Sequence, residues 1–205
     1  MTKLFLAALL AASMQSAAAS ATVPIQPSVD TPEERQALQS LLACLVAERP
    51  RWARETLALP YLSGAQANSA AEVLSGRDTC LKKRDAAITF RTSSVVAMLA
   101  EHFLRTDLPR VDFGRVKAAL SSVTAQNGSE DFGLCVASRD PGAARDLALS
   151  AFGSDAELQA ARQLADQIEP CTTRGEALTV DLQALRALVS TALYRSVTTA
   201  LAARN

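Results

Sequence analysis

The chain has 205 residues, with 21 Lys and Arg against 21 Asp and Glu, one His and four Cys. A formal charge of zero argues against a nucleic-acid binder or a polybasic membrane-surface protein, both of which need a clustered basic surface. With 49% hydrophobic and 20% charged residues, the chain is not disordered by composition, and its length fits one domain or two small ones.

The chain opens Met1-Thr2-Lys3, one positive charge, followed by the apolar stretch 4–12 and small residues through Ala21. This is the pattern of a secretory signal over residues 1–21, with cleavage expected after Ala19 or Ala21. The apolar run is about half the ~20 residues that a spanning helix needs, and no later segment approaches that length. The protein is therefore expected to be exported, to the periplasm or the extracellular space, with no membrane anchor after cleavage. Residues 22–30, with Pro24 and Pro27, read as an extended tail.

Export changes how the cysteines read, because thiols outside the cytoplasm pair. Four of them permit three connectivities. There is no C-x-x-C, and one histidine with these cysteine spacings makes no zinc site, so no metal and no cofactor is expected.

Cys44 and Cys80 stand 36 positions apart, as do Cys135 and Cys171, and a shift of 91 residues lays one half of the chain on the other. Pro50 then falls on Pro141, Arg54 on Arg145, Tyr61 on Phe152 and Ser63 on Ser154; after the second cysteine the offset becomes 90, so that Arg84 meets Arg174 and Leu104 meets Tyr194. The pattern reads as a tandem duplication of a unit of about 60 residues, small enough to gain from a covalent staple. If each unit once stood alone, its bridge lies inside it, Cys44–Cys80 and Cys135–Cys171. The organisation expected is unit one over 31–106, a connector with a short helix over 107–128, and unit two over 129–205.

Ala and Leu dominate the composition and favour helix, so the fold class expected is all-α, the two stapled units packing as a pseudo-two-fold bundle. The first helix opens on Thr31-Pro32-Glu33-Glu34, a capping box with Pro in the first turn, and Leu38, Leu41, Leu42 and Leu45 follow at helical spacing. Pro50 and the pair Asp140-Pro141 open second helices. Ser63 with Gln66, and Ser154 with Glu157, are further capping boxes, the first of these helices ending at Ser75-Gly76. The second cysteine of each unit is expected in a polar loop. Long fourth helices span roughly 92–106 and 181–203; in the latter, Leu182, Leu185, Leu188, Val189, Ala192, Leu193, Val197 and Leu201 trace one face. Asp112 caps a short helix in the connector. The alternating strings Ile88-Thr89-Phe90 and Leu178-Thr179-Val180 are either extended leads into the fourth helices or a minimal antiparallel two-stranded ladder.

Chemistry is sparse. His102 has no nucleophile elbow to serve, and Glu101 beside it points about 100° away on a helix, so His102 is a polar candidate only and no catalytic residue is assigned. Nucleotide-binding glycine motifs are absent. Arg54 and Arg145 recur in both units, which favours a fold role, stem packed and head on a carboxylate. Trp52, opposite Ala143 in the other half, is either core filler or, with Arg51 and Arg54, an interface hot spot. The function expected is a non-catalytic envelope module for an unidentified protein or peptide partner. The alternatives are a small hydrolase or lyase whose acids converge only in three dimensions, and a carrier of apolar ligands.

Overall fold

The computed structural model describes residues 25–26, 31–75, 80, 91–172 and 180–203. The expected signal, most of the tail and the strings 88–90 and 178–179 lie outside these residues. The fold is all-α. Its helices are α1 (Pro32–Glu48), α2 (Pro50–Ala58), α3 (Gly64–Ser75), α4 (Thr92–Asp107), α5 (Phe113–Leu120), α6 (Gly128–Arg139), α7 (Pro141–Leu149), α8 (Asp155–Ile168) and α9 (Leu182–Ala202), with 3-10 turns at Leu108–Arg110 and Glu169–Cys171.

Local chemistry sets most of the helix starts. Thr31 Oγ1 accepts the Glu34 N–H at 3.1 Å while Glu34 Oε2 accepts the Thr31 N–H at 2.8 Å, closing the capping box of α1. Asp112, Asn127, Asp140 and Asp181 each accept a backbone N–H at the head of α5, α6, α7 and α9, satisfying donors that the helix itself cannot. The caps of α3 and α8 differ from the sequence expectation in one respect. Ser63 and Ser154 do accept the N–H of Gln66 and Glu157. The reciprocal bonds, however, come from Leu62 and Gly153, one residue before the serine, at 2.9 and 2.7 Å. The reason is the left-handed turn at both places, with φ of 57° at Leu62 and 71° at Gly153, which aims that N–H back at the first turn of the helix.

Both disulfides lie within a half, Cys44–Cys80 and Cys135–Cys171, each at a sequence separation of 36. The polar loops expected around the second cysteines fall largely outside the described residues; Cys80 itself is helical and buried, and Cys171 ends a 3-10 turn.

α4 and α9 form the centre and run side by side in the same direction: Gln183 bonds Ser94 near their starts, Arg186 bonds Glu101 midway, and Tyr194 lies against Phe103 further on. α1, α2 and α3 pack on α4, and α5, α6, α7 and α8 on α9. The expected one-sided stripe on α9 is therefore too narrow. Arg186, Ala187, Ser190, Thr191, Tyr194 and Ser196 are buried as well, because a central helix meets neighbours on every side. α6 approaches α9 closely, and a Cβ on Gly133 would stand 2.7 Å from the Leu188 carbonyl oxygen.

Among the described residues Val180–Asp181 pairs with Ile25–Gln26, in parallel; the ladder expected between 88–90 and 178–180 lies largely outside them.

Each disulfide closes a loop whose entropy in the unfolded chain is worth roughly 4 kcal/mol by chain-statistics reasoning. Replacing the Cys135–Cys171 pair by alanines is expected to lower unfolding free energy by about 2–5 kcal/mol, read as a reduced urea midpoint. The same midpoint in both proteins would show that the bridge contributes nothing.

Candidate functional site

The most densely charged place in the interior is built on Arg186, which α9 carries at 2% exposure. Its Nε and Nη2 donate to Glu101 Oε1 and Oε2 on α4 at 2.7 and 2.9 Å. Nη1 donates to Glu157 Oε1 on α8 at 2.7 Å, and Nη2 to the Ser150 carbonyl at 2.9 Å. Arg35 of α1 completes the cluster through Glu157 Oε1 and Oε2 at 2.9 and 3.2 Å. Both guanidinium carbons lie over the Phe152 ring, 4.6 Å (Arg35) and 4.3 Å (Arg186) from its centroid, adding a cation–π contribution in a desolvated setting. Two cations meet two anions, so no net charge is buried.

Burial alone raises a carboxyl's pKa. At Glu157 burial is outweighed by the Arg35 hydrogen bond, the Gly153 N–H and the charges of Arg186 and Arg35, and the pKa is held below the ordinary carboxylate value. Burial also works against the charge on Arg186, but Glu101 and Glu157 keep its pKa raised. Beside the cluster the free space is about 10 Å³, room for one water at most. Glu101 and Glu157 thus converge on one guanidinium, each bonded to arginine. Sequence alone did not assemble Arg35, Glu101, Glu157 and Arg186. Glu157 was visible as a cap residue, but the four lie on four helices with no common spacing.

The other predicted residues fall elsewhere. His102 is half-buried, edge-on to Phe103 with ring centroids 5.5 Å apart. Burial, with the charges of Arg105 and Arg54, lowers its pKa against the opposing pull of Asp107. Glu101 turns away from it to Arg186. Trp52 is half-buried against the core, its indole N–H donating to the Ser69 carbonyl at 3.1 Å. Arg54 forks onto the buried Asp107 at 3.0 and 3.4 Å and lies 4.1 Å over the Phe103 ring. Its counterpart Arg145 lies over Phe113 and pairs with Asp146. Arg51 is exposed. Trp52 and Arg54 are thus tied into the first half by these bonds, although Arg54, like Arg51, is exposed. Cys44, Cys80 and Glu48 come within 4.8 Å of one another, but the two sulfurs are spent in a disulfide and offer no thiolate.

A second feature is a surface cleft of about 210 Å³ at the shared starts of α4 and α9, lined by Tyr61, Leu62, Arg91, Ser93, Gln183 and Leu188 among others. Leu62 stands 48% exposed at its edge, in the left-handed backbone that bulky residues rarely adopt. Tyr61 is buried, and burial pushes its hydroxyl pKa up to about 12. No family model, no curated protein and no solved structure matches this chain.

Two predictions follow from the cluster. Arg186→Leu leaves two carboxylates without their shared cation and is expected to cost about 3–5 kcal/mol, measured by urea unfolding at pH 7; a change under 1 kcal/mol would contradict the network. Because the Glu157 pKa is depressed in the folded state, its contribution is present above the unfolded value near pH 4 and is lost as pH falls through the folded value. The stability gap between wild type and Glu157→Gln is therefore expected to shrink as pH falls from 5 toward 2, and an unchanged gap would sink the assignment.

Proposed function

We propose that this is an exported, non-catalytic helical protein of the cell envelope, periplasmic or extracellular, that works by holding a protein or peptide partner. Its body is a tandem duplication of one disulfide-stapled unit. Support for the duplication comes from the helix ends: α1 and α6 both stop, and α2 and α7 both start and stop, at the 91-residue offset, and the left-handed turn recurs at Leu62 and Gly153. Both disulfides, and the fact that no helix among the described residues is long and apolar enough to cross a membrane, are compatible with export.

The observation that carries the interaction reading is the state of the converging carboxylates. A general acid needs a raised pKa and a reacting group within reach. Glu157 has a lowered pKa, and the room beside it and Glu101 holds a water at most. Four buried acids meet arginines: Glu101 with Arg186, Glu157 with Arg35 and Arg186, Asp107 with Arg54, and Glu130 with Arg195. This chemistry holds a scaffold together. What the scaffold offers outward is the cleft beside Leu62.

The test expresses the full chain with a C-terminal tag and a photo-crosslinking amino acid at position 62, or at the well-exposed Arg110 as control. The expected outcome is an envelope-fraction protein whose first residue is Thr22 or Ser20, and a discrete crosslinked adduct from position 62 alone. Retention of Met1 in the cytosol would overturn export. The same adducts from both positions, or none from either, would overturn the interaction reading.

A further inference from the structure

The turns at Tyr61-Leu62 and Phe152-Gly153 are matched in sequence position and backbone, yet they are covered differently. Over the second, the first turn of α1 sits down directly: a Cβ on Gly153 would lie 2.9 Å from Pro32 Cγ, and Arg35 reaches across to Phe152 and Glu157. The positions corresponding to α1 residues 32–36 are 123–127, and α6 begins only at Gly128. In place of those helical turns the Asn127 side chain donates to the Tyr61 carbonyl, which leaves Tyr61 buried and the cleft open beside Leu62. The residue matched to Glu157 is also neutral. Gln66 accepts the Leu62 N–H and donates to the Thr56 and Leu59 carbonyls, so among the described residues no buried carboxylate stands at this turn to receive a cation.

Leu62 is the informative residue. Its position requires positive φ, which glycine adopts without strain and leucine does not, and the other half has Gly153 there. Its side chain is also half exposed. A single exposed leucine needs no explanation, but one held in a left-handed turn at the edge of a cleft has the strained backbone that collects at ligand clamps.

We propose that the cleft seats the C-terminal residue of a protein or peptide partner, its large apolar side chain against Leu62, Ala184 and Leu188 and its carboxylate at Arg91. The proposal rests on the interaction reading above and names the partner's chemistry. Size supports it: a cleft of about 210 Å³ exceeds the ~150 Å³ that holds one benzene ring but falls short of the ~300 Å³ where cofactor-sized sites begin. Charge supports it too. Arg91 is exposed at the rim, and α4 starts there with no side-chain cap. The acid in the lining, Asp181, is committed to the Ala184 N–H at 2.7 Å. The starts of α4 and α9 border the cleft through Ser93 and Gln183, and helix starts favour negative charge; α6, which borders it through Ser129, already carries Glu130 and Asp131 in its first turn.

The experiment titrates the exported protein, by calorimetry, with acetylated pentapeptides ending in Leu, Phe or Ala, each as free acid and as amide. Saturable binding is expected for the Leu and Phe acids, weakened about tenfold or more by amidation, the loss expected for one charge-assisted contact. Arg91→Gln is expected to bring the acids to the amide level. Leu62→Gly is expected to weaken the acids while leaving the melting temperature equal or higher, separating contact from stability. Equal affinity for acid and amide, or an Arg91→Gln protein that still distinguishes them, overturns the proposal, as does absence of binding. If position 62 nevertheless crosslinks a discrete partner in the envelope, the interaction reading survives and only the C-terminal recognition falls. Failure of both experiments removes both.

Discussion

A guanidinium can leave water only when carboxylates and carbonyls replace its hydration, and Arg186 meets that condition by gathering parts of the chain far apart in sequence. Glu101 comes from α4, Glu157 from α8, and the Ala148 and Ser150 carbonyls from the end of α7. Arg35 extends the cluster to α1 through the second face of Glu157. The two disulfides act within the halves. The Arg186 cluster is what fixes one half against the other, and the parallel pairing of α4 and α9 brings its members to one level.

The same local device serves two ends. In both halves a serine caps a helix, and a long polar side chain three residues on accepts an N–H from a left-handed turn. Where that side chain is Glu157, it draws in two arginines and a covering helix. With Gln66 in that place, it is satisfied by its own half's carbonyls and demands nothing from outside. One carboxylate against one amide thus separates a closed, charged, structural site from an open, neutral one. Gly153 and Leu62 follow the same division: the turn under Pro32 has no space for a side chain, and the turn that Asn127 holds through the Tyr61 carbonyl leaves Leu62 half exposed.

Much of the fold was legible from short-range chemistry. Thr31-x-x-Glu34, Asp140-Pro141 and Ser154-x-x-Glu157 name helix starts because the donors they satisfy lie within one turn. The equal 36-residue spacings named the disulfides once the halves were aligned. The candidate cleft was not legible. Its lining comes from the starts of three helices and a turn, and its openness depends on α6 starting later than α1, a boundary set by Asn127 capping.

Sequence by itself determined the all-α class, the helix limits, the cysteine pairing and the even balance of charge, since each depends on interactions within a turn or on a repeat visible in one dimension. Only the tertiary structure decided that Glu101 and Glu157 share Arg186, that α9 is buried well beyond a single apolar stripe, that Val180 pairs with Ile25, and that Leu62 is left half exposed. Those outcomes depend on which helices meet, and helix packing is governed by the shape and desolvation of whole faces, quantities that no local spacing carries.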